Sequence, residues 1–297
     1  SDTTIWATFD LRGLDTGDYD VQIDDDGSTA FLDDAFNVNA SPPGELQVDI
    51  SATGLCHLLS YLAVEQIEAE QPDLIGTQEG LHSQLVDLER ELDGYRWVGV
   101  GREGARRGEY MAIFYTTERF ELLEHEHYWL SDTPEIVGSK SFGNGVVRMT
   151  TWARFQERES GEEFVLVNTH FDHQVEEARV KSALLMVERD ERFGSQRVIV
   201  TGDFNCRGGE STAWNTLVTD GPYEDAWDTA KERGEPIATF HGWGPPREGD
   251  RRIDWILHRG SIEVLSSKVC TYGRDGRWPS DHFPVLSELR LVASDGG

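Results

Sequence analysis

Apolar residues recur along this chain with two different periods, and the change between them divides it. In residues 1–44 the pattern is short and alternating. TTIWATFDL reads as a strand, YDVQI and TAFL flank the turn DDDGS as in a hairpin, and DAFNV is a further short strand before the breaker SPPG. From Glu45 onward, strands and helices are interspersed. ELQVDIS alternates, LLSYLAVEQIEAE carries apolar residues at helical spacing with acids on the other face, and PDLIGTQE is a short apolar strand ending in Gln78 and Glu79. LHSQLVDLERELDG is a second amphipathic helix closed by Gly94, and VEEARVKSALLMVERDERF is a long third one. YRWVGVG, EYMAIFY, VRMTTWARFQ, EFVLVNTHF, RVIVTGDF, IDWILH and FPVLSELRL read as strands, with a glycine- and arginine-rich loop between the first two. This order predicts an α/β sandwich at 45–292, a β-rich segment at 1–44 and a tail at 293–297.

At 297 residues the chain suits one large domain plus a small extra piece. Hydrophobic content of 38%, with nine Trp and thirteen Phe, suffices for a packed core. No apolar run is long enough to span a membrane, and no signal-peptide core follows Ser1. Cys56, Cys206 and Cys270 are an odd set without metal-ligand spacing, which argues against a disulfide scaffold and against zinc.

Charge changes the picture more. Fifty-five acidic residues face 27 basic ones, a net charge of -28, and only four of the basic residues are lysines. Such a chain repels itself in dilute buffer and is relieved by salt screening, so a high-salt source is expected, with export or cell-surface display favoured over the cytoplasm and a monomeric state. A polyanion also disfavours a general nucleic-acid-binding module, since that binding draws on phosphate neutralisation by Lys and Arg. A local groove supplied by Arg102, Arg106, Arg107 and Arg148 remains compatible with a nucleic-acid substrate.

Polar residues gather where apolar strands stop: Gln78-Glu79, then Asn168 through His173, then Gly202 through Asn205, then Ser280-Asp281-His282. Asp254 interrupts the apolar run of RIDWIL. One such acid is an ordinary turn residue, but five places rich in Asp, Glu, Asn and His call for another reason. Hard oxygen ligands suit Mg²⁺ or Mn²⁺, and imidazoles beside carboxylates suit proton transfer and phosphate contact.

PDLIGTQE, VNTHFDH, TGDFN, RIDWIL and SDHFPV occur in the order and approximate spacing of the endonuclease/exonuclease/phosphatase superfamily, which residues 45–292 resemble. The text of residues 9–38 resembles the second half of an immunoglobulin-like IPT/TIG domain. The first resemblance implies a four-layer α/β/β/α sandwich of two mainly antiparallel sheets. It also implies a divalent-metal-dependent phosphoesterase that uses water against a phosphodiester or a phosphomonoester.

By that resemblance Glu79 is the principal metal ligand and Asp281 lies near the metal. Asp203 orients or deprotonates the attacking water, and Asn205 holds the water or the phosphate. His282 contacts the scissile phosphate with its tautomer fixed by Asp254, and His170 is a second phosphate contact and acid. Asp172, Arg179, Arg148 and His241 are further substrate-binding candidates. His57, His82, His125, His127 and His258 are read as surface or core residues.

The family's first-strand Asn has no clear counterpart. Ser51 is adopted for its short distance to the first helix, with Asn37 and Asp10 as alternatives. A catalytically weakened member acting as a binding or surface protein is the competing reading.

Overall fold

The structure is a computed structural model. It describes residues 61–249 and 251–292 with their side chains, and residues 17–25, 28–38, 48–50 and 54–60 as backbone elements. The chain divides into two compact units, Ser1–Leu58 and Leu59–Gly297. In the first, β1 (Gly17–Asp25) and β2 (Ser28–Val38) form the expected antiparallel hairpin, closing at the Asp25–Ser28 pair. The third strand β3 (Val48–Ile50) pairs antiparallel with β2. TAFL and DAFNV are one continuous strand rather than two. The strand expected in residues 3–11 and the tail at 293–297 lie outside the described residues.

Beyond it, helix α1 (Gly54–Glu70) leads into β4 (Leu74–Gly80), α2 (His82–Glu91), β5 (Tyr95–Val98) and β6 (Tyr110–Thr116). Next come β7 (Phe120–Trp129), β8 (Met149–Glu157), β9 (Glu163–His170), α3 (Glu176–Asp190) and β10 (Arg197–Asp203). The chain continues through β11 (Glu224–Asp225), β12 (Glu232–Arg233), β13 (Asp254–Arg259), β14 (Ile262–Val269) and β15 (Val285–Leu291). A six-stranded sheet has the order β11-β13-β10-β9-β8-β7, and two three-stranded sheets have the orders β4-β6-β5 and β12-β14-β15. Pairing is antiparallel except for β9 with β10 and β12 with β14.

Period-two alternation sorts the six-stranded sheet's residues into two cores. Val165, Val167, Val198, Val200 and Trp152 face α3, where they meet Ala183 and Met186. Their neighbours Phe164, Leu166, Ile199, Ala153 and Phe155 face the other way, onto Val98, Ile113, Leu74 and Leu289 of the smaller sheets. The far side of β5 and β6 packs through Tyr95, Ala112 and Phe114 on Val64 and Ile67 of α1 and Leu85 of α2. Helix, sheet, sheet, helix is therefore the order of layers. Among the described residues no helix is long and apolar enough to cross a membrane.

β7 and β14 do not stand out in the sequence. Each carries a bulge, between Leu122 and Glu124 and between Val264 and Ser266, and the extra residue throws its alternation out of phase. β7 is also an edge strand whose Glu121, Glu124 and Glu126 are exposed, so its acidic text resembles a loop.

One buried side chain joins the two layers of sheet beside the site. Asn168 of β9 donates to the carbonyls of Thr77 (2.8 Å) on β4 and Ala112 (2.9 Å) on β6. Its own oxygen accepts from Gln78 Nε2 (2.6 Å) and Thr201 Oγ1 (3.1 Å). All four bonding positions of the amide are filled, so β4 has a fixed position over β9.

Candidate active site

The site is assembled at the ends of strands that adjoin one another in register. Asp203, the last residue of β10, is opposite His170 on β9 and opposite Asp254 on β13. The backbone reverses just beyond β10, where Asp203 Oδ1 accepts from Asn205 N (2.8 Å) and Asn205 adopts φ +50°, a left-handed conformation that Asn tolerates. This turn brings the Asn205 amide back over the carboxylate, where Nδ2 donates to Asp203 Oδ2 (3.2 Å) and to the carbonyl of Phe171 (3.2 Å).

His170 is buried, and its Nε2 lies 3.3 Å from Asp203 Oδ2 and 3.9 Å from Glu79 Oε1. On its other side, Arg148 Nη1 donates to His170 Nδ1 (2.8 Å) and Nη2 donates to His173 Nδ1 (3.1 Å). A guanidinium has only donors, so Nδ1 of His170 accepts and the ring carries its proton on Nε2, facing the site. Arg148 is 4% exposed and its Nε has no partner. Burial, and then the nearby charge of Arg102, lower its pKa. Its two terminal nitrogens are engaged by the two histidines.

Glu79 reaches the same place from the other sheet. The β4–β6 register slips between Thr77 and Gly80, and Glu79 takes φ +61° within this bulge. That turns its carboxylate out to solvent, with the side chain 65% exposed. Glu109, one residue before β6, joins Glu79 and His170 in a cluster whose ligand atoms lie within 4.8 Å of one another. Sequence reasoning missed Glu109. Its signal was an acid directly before an apolar strand, in a loop whose Arg102 is its ion-pair partner.

A second cluster within the same span is Asp203, Asp254 and His282. His282 Nδ1 donates to Asp254 Oδ2 (2.9 Å), and its Nε2 is 3.9 Å from Asp203 Oδ2. Burial opposes charge on His282, but the bond to Asp254 and the charges of Asp254, Asp203 and Asp281 raise its pKa to about 9. Burial raises Asp254, against the bond from His282. Burial also works against charge on Asp203, and there the bond from His170, the charge of His282 and the bond from the Asn205 backbone N–H prevail, holding it below the ordinary range. These oxygens and imidazoles are a donor set that fits a hard divalent cation, with Glu79 as its solvent-facing member.

The remaining candidates are placed differently. Asp281 follows Ser280, whose hydroxyl is 3.5 Å from Asp281 Oδ1, and its carbonyl accepts from His241 N and Gly242 N; it belongs to neither cluster. Asp172 is buried and braces the turn before α3, its Oδ1 accepting from Gln174 N (2.9 Å) and Val175 N (2.7 Å). Arg179 is engaged by the Asp172 carbonyl (2.8 Å) and by Glu176 at the start of the helix. His241 is buried, stacked on Phe283 with ring centroids 3.8 Å apart, and fastens a turn. Of the histidines set aside, His127 and His258 are in strands and His82 opens α2. Cys206 and Cys270 are buried thiols whose pKa burial raises to about 12. The side chains of Ser51, Asn37 and Asp10 lie outside the described residues.

A four-layer sandwich with acid, amide and imidazole groups at its strand ends defines a phosphoesterase hydrolase. The pattern of the Endonuclease/Exonuclease/phosphatase family matches residues 35–282, and the chain belongs to that family. The matched span includes Asn37 and Ser51 and leaves out Asp10.

The chain is 34% identical to the mannosyl-6-phosphatase of Bacteroides thetaiotaomicron, with a TM-score of 0.75 over 81% of this chain and 94% of that one. It is 31% identical over 153 residues to an uncharacterized protein of Acanthamoeba polyphaga mimivirus, across 48% of this chain and 57% of the viral protein. The D. rerio TDP2 complexed with a single-strand DNA product shares the fold at 17% identity and a TM-score of 0.62, over 78% of this chain and 91% of that one.

Proposed function

We propose that this protein is a Mg²⁺- or Mn²⁺-dependent phosphomonoesterase that transfers the phosphoryl group of a small sugar phosphate to water. The observation that carries the reading is the opposition of Asp203 to the His282–Asp254 pair, with Nε2 of His282 3.9 Å from Asp203 Oδ2. A carboxylate held in its charged form and a protonated imidazole 3.9 Å apart can both reach one phosphoryl group and its attacking water from the same face.

In this scheme Asp203 accepts the proton of the water, and Asn205 restricts that water's position. His282, kept protonated by Asp254, donates from Nε2 to a phosphoryl oxygen as negative charge builds there. His170, with its proton on Nε2, donates to a second one. Glu79 would hold the metal, with Glu109 beside it in the same cluster and Asp281 kept as a further candidate. The bound cation supplies Lewis-acid stabilisation of the phosphoryl oxygens.

Two observations favour a monoester of a small molecule over a nucleic acid. The net charge of -28 opposes a polyanionic partner. The relative at 34% identity, aligned over 94% of its length, is a sugar phosphatase, whereas the DNA-bound one is alike in fold alone.

The test is hydrolysis by chelator-stripped protein in molar KCl, with Mg²⁺ or Mn²⁺ restored. The substrates are a hexose 6-phosphate, p-nitrophenyl phosphate, its bis-ester and single-stranded DNA. Faster turnover of the monoesters, lost on chelation and reduced by roughly 10² to 10⁴-fold in Asp203→Asn, is expected. Turnover of DNA or the bis-ester alone would replace this reading with a nuclease, and no turnover of any of them would favour a binding protein.

A further inference from the structure

Two large aromatic rings stand in solvent beside His282, on a turn built to keep them there. Phe240 is 50% and Trp243 is 51% exposed, yet their surroundings are tightly fastened. The Thr239 carbonyl accepts from Phe283 N (2.7 Å), while its hydroxyl accepts from Ile253 N (3.0 Å) and Asp254 N (3.3 Å). The turn is thereby tied to the carboxylate that holds His282. The buried His241 between the two aromatics is stacked on Phe283, and its Nδ1 donates to the Gly244 carbonyl (2.8 Å). Trp243 itself takes φ +66°, a left-handed conformation that a bulky residue rarely adopts.

A surface turn with no further task could bend either ring inward, onto the apolar wall that Phe283 and Trp278 already form around His241. Both rings instead remain exposed, while Thr239 and His241 beside them are held by hydrogen bonds. Their placement is specific. The Phe240 ring centroid is 5.0 Å from that of His282, and Trp243 lines a cleft of about 540 Å³ together with Glu79, Asp254 and His282.

A phosphoryl group held by His282 would project its ester substituent along this side of the cleft. We propose that Phe240 and Trp243 are a stacking platform for the apolar face of a hexopyranose, and so select the leaving group. This rests on the phosphomonoesterase reading of the same site. A pyranose joins a flat C–H face, which suits an aromatic ring, to hydroxyls that the half-buried Ser280 and Asp281 beside His282 can bond. It adds no charge beyond its one phosphate, as an acidic chain requires. Binding energy gained on the non-reacting ring would raise kcat/KM for hexose phosphates over phosphates of open-chain alcohols.

The experiment measures kcat/KM in wild type, Trp243→Ala, Phe240→Ala and Trp243→Phe for three monoesters: a hexose 6-phosphate, a nucleoside 5′-monophosphate and glycerol phosphate. The ratio of hexose to glycerol substrate should fall tenfold or more in each Ala variant, mainly through KM, with Trp243→Phe retaining most of it. Equal losses on both substrates, an unchanged ratio, or a nucleotide preferred over the hexose phosphate would overturn the platform.

A readout independent of turnover is saturation-transfer NMR with unphosphorylated methyl hexopyranoside. Transfer to the ring C–H protons is expected in wild type and should be lost in Trp243→Ala. Its absence from wild type would overturn the platform even if the enzyme hydrolyses phosphomonoesters, whereas failure to hydrolyse any monoester would overturn the function while transfer still reported on the rings.

Discussion

Asp254 is directly opposite Asp203 in the β10–β13 ladder, and His282 bonds the first (Nδ1 to Oδ2, 2.9 Å) while its other nitrogen faces the second (Nε2 to Oδ2, 3.9 Å). Two carboxylates on paired residues would repel one another, and the imidazolium between them offsets that repulsion. The sign of its pH dependence follows. The pKa of His282 is raised from 6.5 to about 9. The stability it contributes is therefore fully present below about pH 6.5 and is lost as pH rises through about 9. Asp254→Asn removes the charge and leaves only a neutral acceptor for Nδ1, so burial gains on the remaining charges of Asp203 and Asp281 and the alkaline limb of kcat/KM should move down from near pH 9. Rate profiles and melting curves from pH 6 to 10 check this; an unmoved limb would assign it to another group.

Arg148 separates function from stability. Arg148→Met replaces a buried guanidinium whose Nε is unpaired with an apolar chain of similar length. It should leave the melting temperature unchanged or raised, since a buried charge is costly to keep. His170 then loses the donor that fixes its tautomer, and kcat should fall by roughly tenfold to a hundredfold, the lower part of the range for general acid–base groups. Unchanged kcat in a folded variant would remove Arg148 from any part in positioning His170.

The joint between the sheets is testable through Asn168. Asn168→Ala strands the carbonyls of Thr77 and Ala112 and the Gln78 amide. Each buried polar group left unpaired costs about 1–3 kcal/mol. Three such groups amount to about 3 kcal/mol or more, and at roughly 2–4 °C per kcal/mol for a domain of this size the melting temperature should drop by about 6 °C or more. Because the Gln78–Glu79 bulge follows, the Mg²⁺ concentration giving half-maximal rate should rise as well. A fall in stability with the metal dependence unaltered would confine Asn168 to the core.

Salt sets two trends against each other. With a net charge of -28, acid–acid repulsion reaches about 10 Å at 0.1 M salt and only about 3 Å at 1 M. Melting temperature and initial rate on a hexose phosphate should both climb from dilute buffer to molar KCl, in keeping with the proposal of a high-salt source. A nucleic-acid substrate would instead bind less well as salt rises. Equal melting in dilute and molar salt, with the best rate in dilute buffer, would end the high-salt proposal.

Local pattern determined much of this protein. The alternation of EFVLVNTHF and RVIVTGDF determined two strands with both faces buried. Polar residues at their ends were legible as chemistry because nothing in a core would keep His170 or Asp203 there. The hairpin around DDDGS and the three helices were equally local. The strands β7 and β14 were not, since one inserted residue in either shifts every later side chain to the other face and hides the period.

Tertiary structure alone decided partnership. Arg148 and Arg179 are alike as text; packing encloses the first behind two histidines, and a helix start occupies the second. Asp172 and Asp203 both stand where apolar strands stop, yet one braces the turn before α3 and the other faces His282. Glu109, Phe240 and Trp243 carry no motif. They enter the site because β6 and the turn before β13 are folded against strands far away in the sequence. Contacts between distant segments are set by which surfaces the layers bury together, a property of the packed sandwich and not of any stretch of chain.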